Sequence, residues 1–141
     1  MSLELQFEAV LLLALAALLS MVIGLDRQSR APAGLRTHML VGLGACLFTI
    51  LSLHAFGAGD PGRVAAQIVT GIGFLGAGTI LQHKGDVHHL TTAASIWATA
   101  AIGMAVGAGA WFLAMIGTLL IWAVLRIVRR FEKKENSRQS S

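Results

Sequence analysis

Five stretches of this chain are apolar over nearly the distance needed to cross a lipid bilayer, and little else lies between them. A hydrocarbon core of roughly 30 Å takes about 20 apolar helical residues to span. The runs cover residues 7–25, 38–56, 64–81, 91–106 and 111–128. Of 141 residues, 55% are hydrophobic and 13% charged, against about 25% charged in a soluble domain. The pattern predicts an all-α, polytopic membrane protein, a bundle of five transmembrane helices over 1–128. A basic, partly disordered cytoplasmic tail is expected over 129–141. A signal peptide at 7–25 is disfavoured, because no basic residue precedes the run and Ile-Gly-Leu-Asp-Arg is a poor cleavage site.

The basic residues orient the bundle. Ten of the 11 Lys and Arg fall between runs one and two, between runs three and four, and from the last turn of run five (Arg126) onward. Arg63 stands alone on the other side. Positive residues collect on the cytoplasmic face, which puts the N-terminus out and the C-terminus in. The net charge of +4 is therefore a topology signal. With no aromatic–basic pattern beside it, no nucleic-acid partner is expected, whereas membrane lipids are. The single Cys46 excludes an intrachain disulfide and reads as a small packing residue. Gly107-Ala-Gly-Ala110 leaves room only for a tight turn between runs four and five.

The third run carries Thr70-Gly-Ile-Gly-Phe-Leu-Gly-Ala-Gly-Thr79. Glycine is about 1 kcal/mol worse than alanine inside a helix in water, so Gly71, Gly73, Gly76 and Gly78 need a reason. At about 100° per residue, Arg63, Gln67, Thr70, Gly71 and Gly78 share a sector. The fourth run has a matching stripe in Thr92, Ser95, Thr99, Gly103 and Gly107. Small residues let membrane helices approach, and hydroxyls bond across the gap. Runs three and four are expected to pack through these faces, within a chain or between chains, or to line a cavity with them. Gly73 and Gly76 lie off that sector and could open the helix around a ligand. Gly71-Ile-Gly-Phe-Leu-Gly76 matches a dinucleotide-binding expression, but the required strand before it is absent.

Polar residues supply the candidate functional cluster: Asp26, Arg27, Arg36, His38, Asp60, Arg63, Gln67, Thr91, Thr92 and Ser95. Charges at the membrane edge are costly unless paired or hydrated, so an Asp26–Arg36 ion pair is expected to tie runs one and two. Asp60 reads as an N-cap with Pro61 at the first helical position. His83, Asp86, His88 and His89 could hold a transition metal, yet their spacing fits no closed site and a solvated loop is the plainer reading. No nucleophile–base arrangement stands out, and no enzyme is expected.

Four motifs together resemble the MgtC/SapB family of bacterial inner-membrane proteins. They are Ala33-Gly-Leu-Arg-Thr-His38, Asp60-Pro-Gly-Arg63, the glycine run with its leading Gln67-Ile-Val, and Leu90-Thr-Thr-Ala-Ala-Ser-Ile-Trp97. They follow the family's order and spacing across 24–109. The resemblance implies a five-span domain in the bacterial inner membrane and a role in adaptation to low magnesium. In pathogens it implies virulence through survival inside macrophages. It also implies a regulator that restrains the membrane sector of the F-type ATP synthase. Many members add a C-terminal cytosolic domain, not seen in this sequence, and commonly have Gly where this chain has His89.

Three functions follow as expectations. The first is a small regulator acting through helix–helix contacts with a membrane partner such as ATP synthase. The second is an oligomeric magnesium transporter or channel with Asp26, Asp60, Gln67, Thr92 and Ser95 as oxygen ligands. The third is a ligand- or lipid-sensing module using Arg27, Arg36 and His38. A homo-oligomer is expected and no cofactor is assigned, with magnesium left open.

Overall fold

A computed structural model of the chain describes residues 1–28, 33–55, 60–83 and 86–128. The expected tail over 129–141 and Lys84 lie outside these. Five helices form: α1 Leu3–Arg27, α2 Leu35–His54, α3 Pro61–Thr79, α4 Leu90–Gly107 and α5 Trp111–Ala123, the last running into a single π-helical turn, Val124–Val128. Between α3 and α4 the chain makes a small antiparallel hairpin, β1 Leu81–His83 with β2 Asp86–His88, in register Leu81 opposite His88. The sequence reading had a solvated loop there. Helices α1, α2 and α4 are long and apolar enough to cross a membrane by length and composition, and Trp111–Ile127 is a shorter apolar helix. Large apolar side chains such as Phe7, Leu11, Leu40, Phe74 and Leu113 stand exposed on the outside of the bundle.

Local chemistry sets the ends. The Ser2 hydroxyl caps α1 by accepting from the Leu5 N–H. The Asp60 carboxylate caps α3, its Oδ1 2.8 Å from the Gly62 N–H, with Pro61 in the first turn, as the sequence predicted. α4 closes in a Schellman motif: the Gly109 N–H donates to the Val106 carbonyl, and the Ala110 N–H to that of Ala105, both at 2.9 Å. Gly109 takes φ +80°, a left-handed conformation that needs no Cβ. The predicted tight turn is this motif, and α5 folds back on α4. At the other end of α4, His89 occupies the left-handed region at φ 68°. That is the position at which the resemblance leads one to expect glycine.

α4 is the central helix, packed against each of the other four. Small residues let it approach α2. A Cβ at Gly103 would collide with the Gly42 backbone, its carbonyl oxygen and its Cα, the latter at 3.0 Å. A Cβ at Gly107 would lie 2.6 Å from the Cys46 carbonyl oxygen. α1 closes on α2 in the same way: Gly24 faces the Leu35 Cα at 2.9 Å, and Gly42 faces the Ser20 side chain. Ile23, Ile50 and Val106 fill the spaces around these crossings, and Cys46 is fully buried among them.

The expected pairing of α3 with α4 is only partly realised. The Thr92–Ser95–Thr99–Gly103–Gly107 stripe is buried, but Gly103 and Gly107 meet α2 rather than α3. On α3, Gly71, Gly73 and Gly78 have nothing within 4 Å of where a Cβ would be, so they pack on no neighbour among the described residues. The contact with α4 is made by Gly76, whose Cβ would lie 3.5 Å from the Ala93 carbonyl oxygen. Ile68, packed with Ile96 and Ala100, completes it. α3 therefore turns Val64, Ile68 and Ile72 inward and its polar sector away from α4.

Two outcomes follow. Gly103→Leu is expected to destabilise the detergent-solubilised protein by about 1–3 kcal/mol, while Gly73→Leu leaves it unchanged, as read by denaturant titration. His89→Gly relieves the left-handed strain and should raise stability by about 1–2 kcal/mol in the same titration.

Candidate functional site

Eight of the ten polar candidates divide between two places. The first lies where α1 ends and α2 and α4 begin. Arg27 is 8% exposed, and its Nη2 donates to Thr92 Oγ1 at 2.8 Å, joining α1 to α4. His38 is fully buried on α2, with Nδ1 2.8 Å from the Gly34 carbonyl oxygen and Nε2 3.0 Å from Ser95 Oγ. A carbonyl only accepts, so Nδ1 carries the hydrogen, and a neutral ring leaves Nε2 as an acceptor. Ser95 Oγ also lies 2.8 Å from the Thr92 carbonyl, and Thr99 Oγ1 donates to the Ser95 carbonyl at 2.8 Å. One serine hydrogen thus has two acceptors in reach. Asp26 sits half-buried beside Arg27.

A buried guanidinium is tolerated only when its donors find acceptors, and Thr92 is one. The His38–Ser95 pair has the look of a base beside a nucleophile, an arrangement that sequence reasoning missed. The bond joins α2 to α4: Ser95 is 3% exposed between helices, and neither residue is among the described lining of the cavity below. Arg36 and Thr91 do not join the cluster; both point outward and are exposed. Among the described residues no ion pair links Asp26 to Arg36. The placement of Arg36 on the outward face of α2 explains this.

The second place is a groove of about 1190 Å³ between α2 and α3. Asp60, Arg63 and Gln67 come together at one end of it, near Ser52. That end lies about 20 Å along α2 from His38, at 1.5 Å rise per residue. The predicted single polar cluster is therefore two. Gly44 and Gly71 border the groove, and a side chain at either would project into open space. Among the described residues, no group of three or more His, Cys, Asp or Glu is arranged to hold a metal ion. His88 and His89 stack obliquely, ring centroids 6.3 Å apart.

Sequence reasoning also passed over Gly42, Ser20 and Thr118. Gly42 is four residues from both His38 and Cys46, so a stripe at helical spacing through α2 was available to find it. Ser20 and Thr118 are isolated hydroxyls within apolar runs and carry no such signal. Both are buried.

A helical bundle with three helices fit to cross a membrane by length and composition, tied at one end by buried polar bonds, has the build of a membrane protein. The profile of the MgtC family matches residues 13–134, and the chain belongs to that family. It is 46% identical over 129 residues to the "Putative magnesium transporter YhiD" of Escherichia coli K12, covering 85% of this chain and 60% of that protein. It is 48% identical over 118 residues to "Protein MgtC" of Brucella abortus, covering 83% and 50%. Against "Protein MgtC" of Salmonella typhimurium the identity is 44% over 133 residues, covering 94% and 57%. The chain thus spans between half and three-fifths of the length of these relatives. No solved structure matches it.

Thr92→Val keeps the shape of the side chain and removes the acceptor of a buried guanidinium. The expected loss is about 2 kcal/mol, the range for a hydrogen bond to a charged group, read by denaturant titration in detergent.

Proposed function

We propose that this chain is a regulatory membrane protein of the MgtC type. It sits in the bacterial inner membrane as five spans, N-terminus out and C-terminus in, and acts through helix–helix contacts with a membrane partner such as the F-type ATP synthase. The role is tied to low magnesium and, in a pathogen, to intracellular survival. We assign it no catalytic activity and no cofactor, and a homo-oligomer is compatible with the same surfaces.

One observation carries this reading. Thr70, Gly73 and Ala77 are exposed and share a face of α3, and open space surrounds Gly73. A small-residue face turned to lipid is what a partner helix can approach closely. The buried polar residues support the same view, since Arg27–Thr92 and His38–Ser95 join helix to helix. The charge partition described above supports the orientation.

The name of the Escherichia coli relative favours a second reading, magnesium transport, which would need several copies to enclose a path. The two part in reconstitution. Purified protein in liposomes is expected to carry no magnesium flux, while a membrane partner co-purifies from native membranes and is lost in Gly73→Leu with Ala77→Leu. Flux through the protein alone, abolished by Asp26→Ala, would overturn the regulatory reading.

A further inference from the structure

The groove between α2 and α3 has the build of a site for an elongated amphiphile. Its walls are apolar, with Leu40 and Phe48 on α2 facing Ile72 and Leu75 on α3. Leu40 and Phe48 are 69% and 56% exposed, so the groove opens on the flank of the bundle, where lipid would lie. Thr37 and Ser52 mark its two ends on α2. At about 1.5 Å per residue this is a length of about 22 Å. One leaflet of a roughly 30 Å core is about 15 Å deep, so an acyl chain fits along it.

The charged residues collect at one end only among the described lining. Arg63 is exposed there, with a planar fork of donors suited to phosphate. Gln67 follows one helical turn later on the same side. Asp60 stands beside them; its Oδ1 accepts from the Gly62 N–H, and a carboxylate has capacity for further donors. Among the described residues, the mouth of the groove thus presents one cation and one anion together. A purely anionic head group would meet Arg63 but also the Asp60 carboxylate. A head group with a phosphate and a primary ammonium complements both. A quaternary ammonium carries no N–H for Asp60.

We propose that the α2–α3 groove binds a phospholipid with a primary-ammonium, zwitterionic head group. The phosphate lies on Arg63 and Gln67, the ammonium on Asp60, and one acyl chain runs between Leu40 and Leu75. The site adjoins the Thr70–Gly73–Ala77 face, since Arg63 and Gln67 share a sector of α3 with Thr70, but its apolar wall, Ile72 and Leu75, lies on the flank beside α2.

Native mass spectrometry of the full chain tests this after release from nanodiscs of equal phosphatidylethanolamine, phosphatidylcholine and phosphatidylglycerol. One retained lipid is expected, with phosphatidylethanolamine favoured about tenfold over the others, the effect of roughly 1.4 kcal/mol. Asp60→Ser keeps a capping residue and removes the charge; it should abolish the preference over phosphatidylglycerol. Arg63→Gln should weaken retention of all three. Gly44→Leu and Gly71→Leu fill the groove, and should abolish retention with the melting temperature unchanged. Equal retention of the three lipids, a preference unaltered by Asp60→Ser, or retention surviving both leucine variants would overturn the proposal. So would full disulfide cross-linking of Gly71→Cys in a Cys46→Ala chain in native membranes with no lipid retained, which would give the groove to a second copy.

Discussion

The rest of the bundle depends on one contact, Gly103 of α4 against the backbone of Gly42 of α2. A Cβ at Gly103 would strike the Gly42 main chain, while the Gly42 Cβ position faces Ser20 of α1, so α4 meets α2 main chain to main chain and α2 has its other side free for α1. At that separation the helices are held in register as well as in contact. One turn before Gly42 lies His38, and two turns before Gly103 lies Ser95, which brings the imidazole and the hydroxyl to 3.0 Å. One further turn toward the start of α4, Thr92 reaches Arg27 on α1. The polar bonds at that end are a consequence of the close crossing. Without it, a buried guanidinium and a buried imidazole would lack their partners, a far larger penalty than either bond's net contribution.

α3 stands in contrast to this core. It is attached through one side, by Ile68 and Gly76 against α4, and leaves the groove open toward α2. Glycine has two different uses in the same chain. In α2 and α4 it removes a side chain so that backbones meet; at Gly44 and Gly71 it removes a side chain and leaves volume. The family's most glycine-rich motif thus shapes space more than it mediates contact, with Gly76 the exception.

Much of the fold was legible because membrane burial imposes strong patterns. The helix positions, the Asp60 cap, the tight turn between α4 and α5 and the packed Cys46 all followed from apolar run length, capping chemistry, the shortness of the Gly107–Ala110 connection and the small size of a thiol within a span. Which faces meet was not legible. A stripe of small residues on α4 fits any neighbour equally well, and only the assembled bundle selects α2 over α3. The polar sector of α3 was assigned to packing because Gln67 and Thr70 share it with glycines. In the bundle, Val64, Ile68 and Ile72 take the inward side instead. The candidate site suffered from the same ambiguity. Arg27, His38, Thr92 and Ser95 do gather, but Asp60, Arg63 and Gln67 belong to the far end of α2, a separation that proximity in sequence to other motifs could not reveal.

The order of α1, α2 and α4 along the chain has a consequence for biosynthesis. α4 buries three hydroxyl side chains, Thr92, Ser95 and Thr99, and alone in hydrocarbon it would carry them at a cost. Synthesis proceeds from the N-terminus, so α1 and α2, with Arg27, His38 and Gly42 already in place, precede it. The most polar of the long apolar helices therefore emerges last of the three, into a cleft prepared by its predecessors. The three-residue turn through Gly109 then delivers α5 directly onto its back.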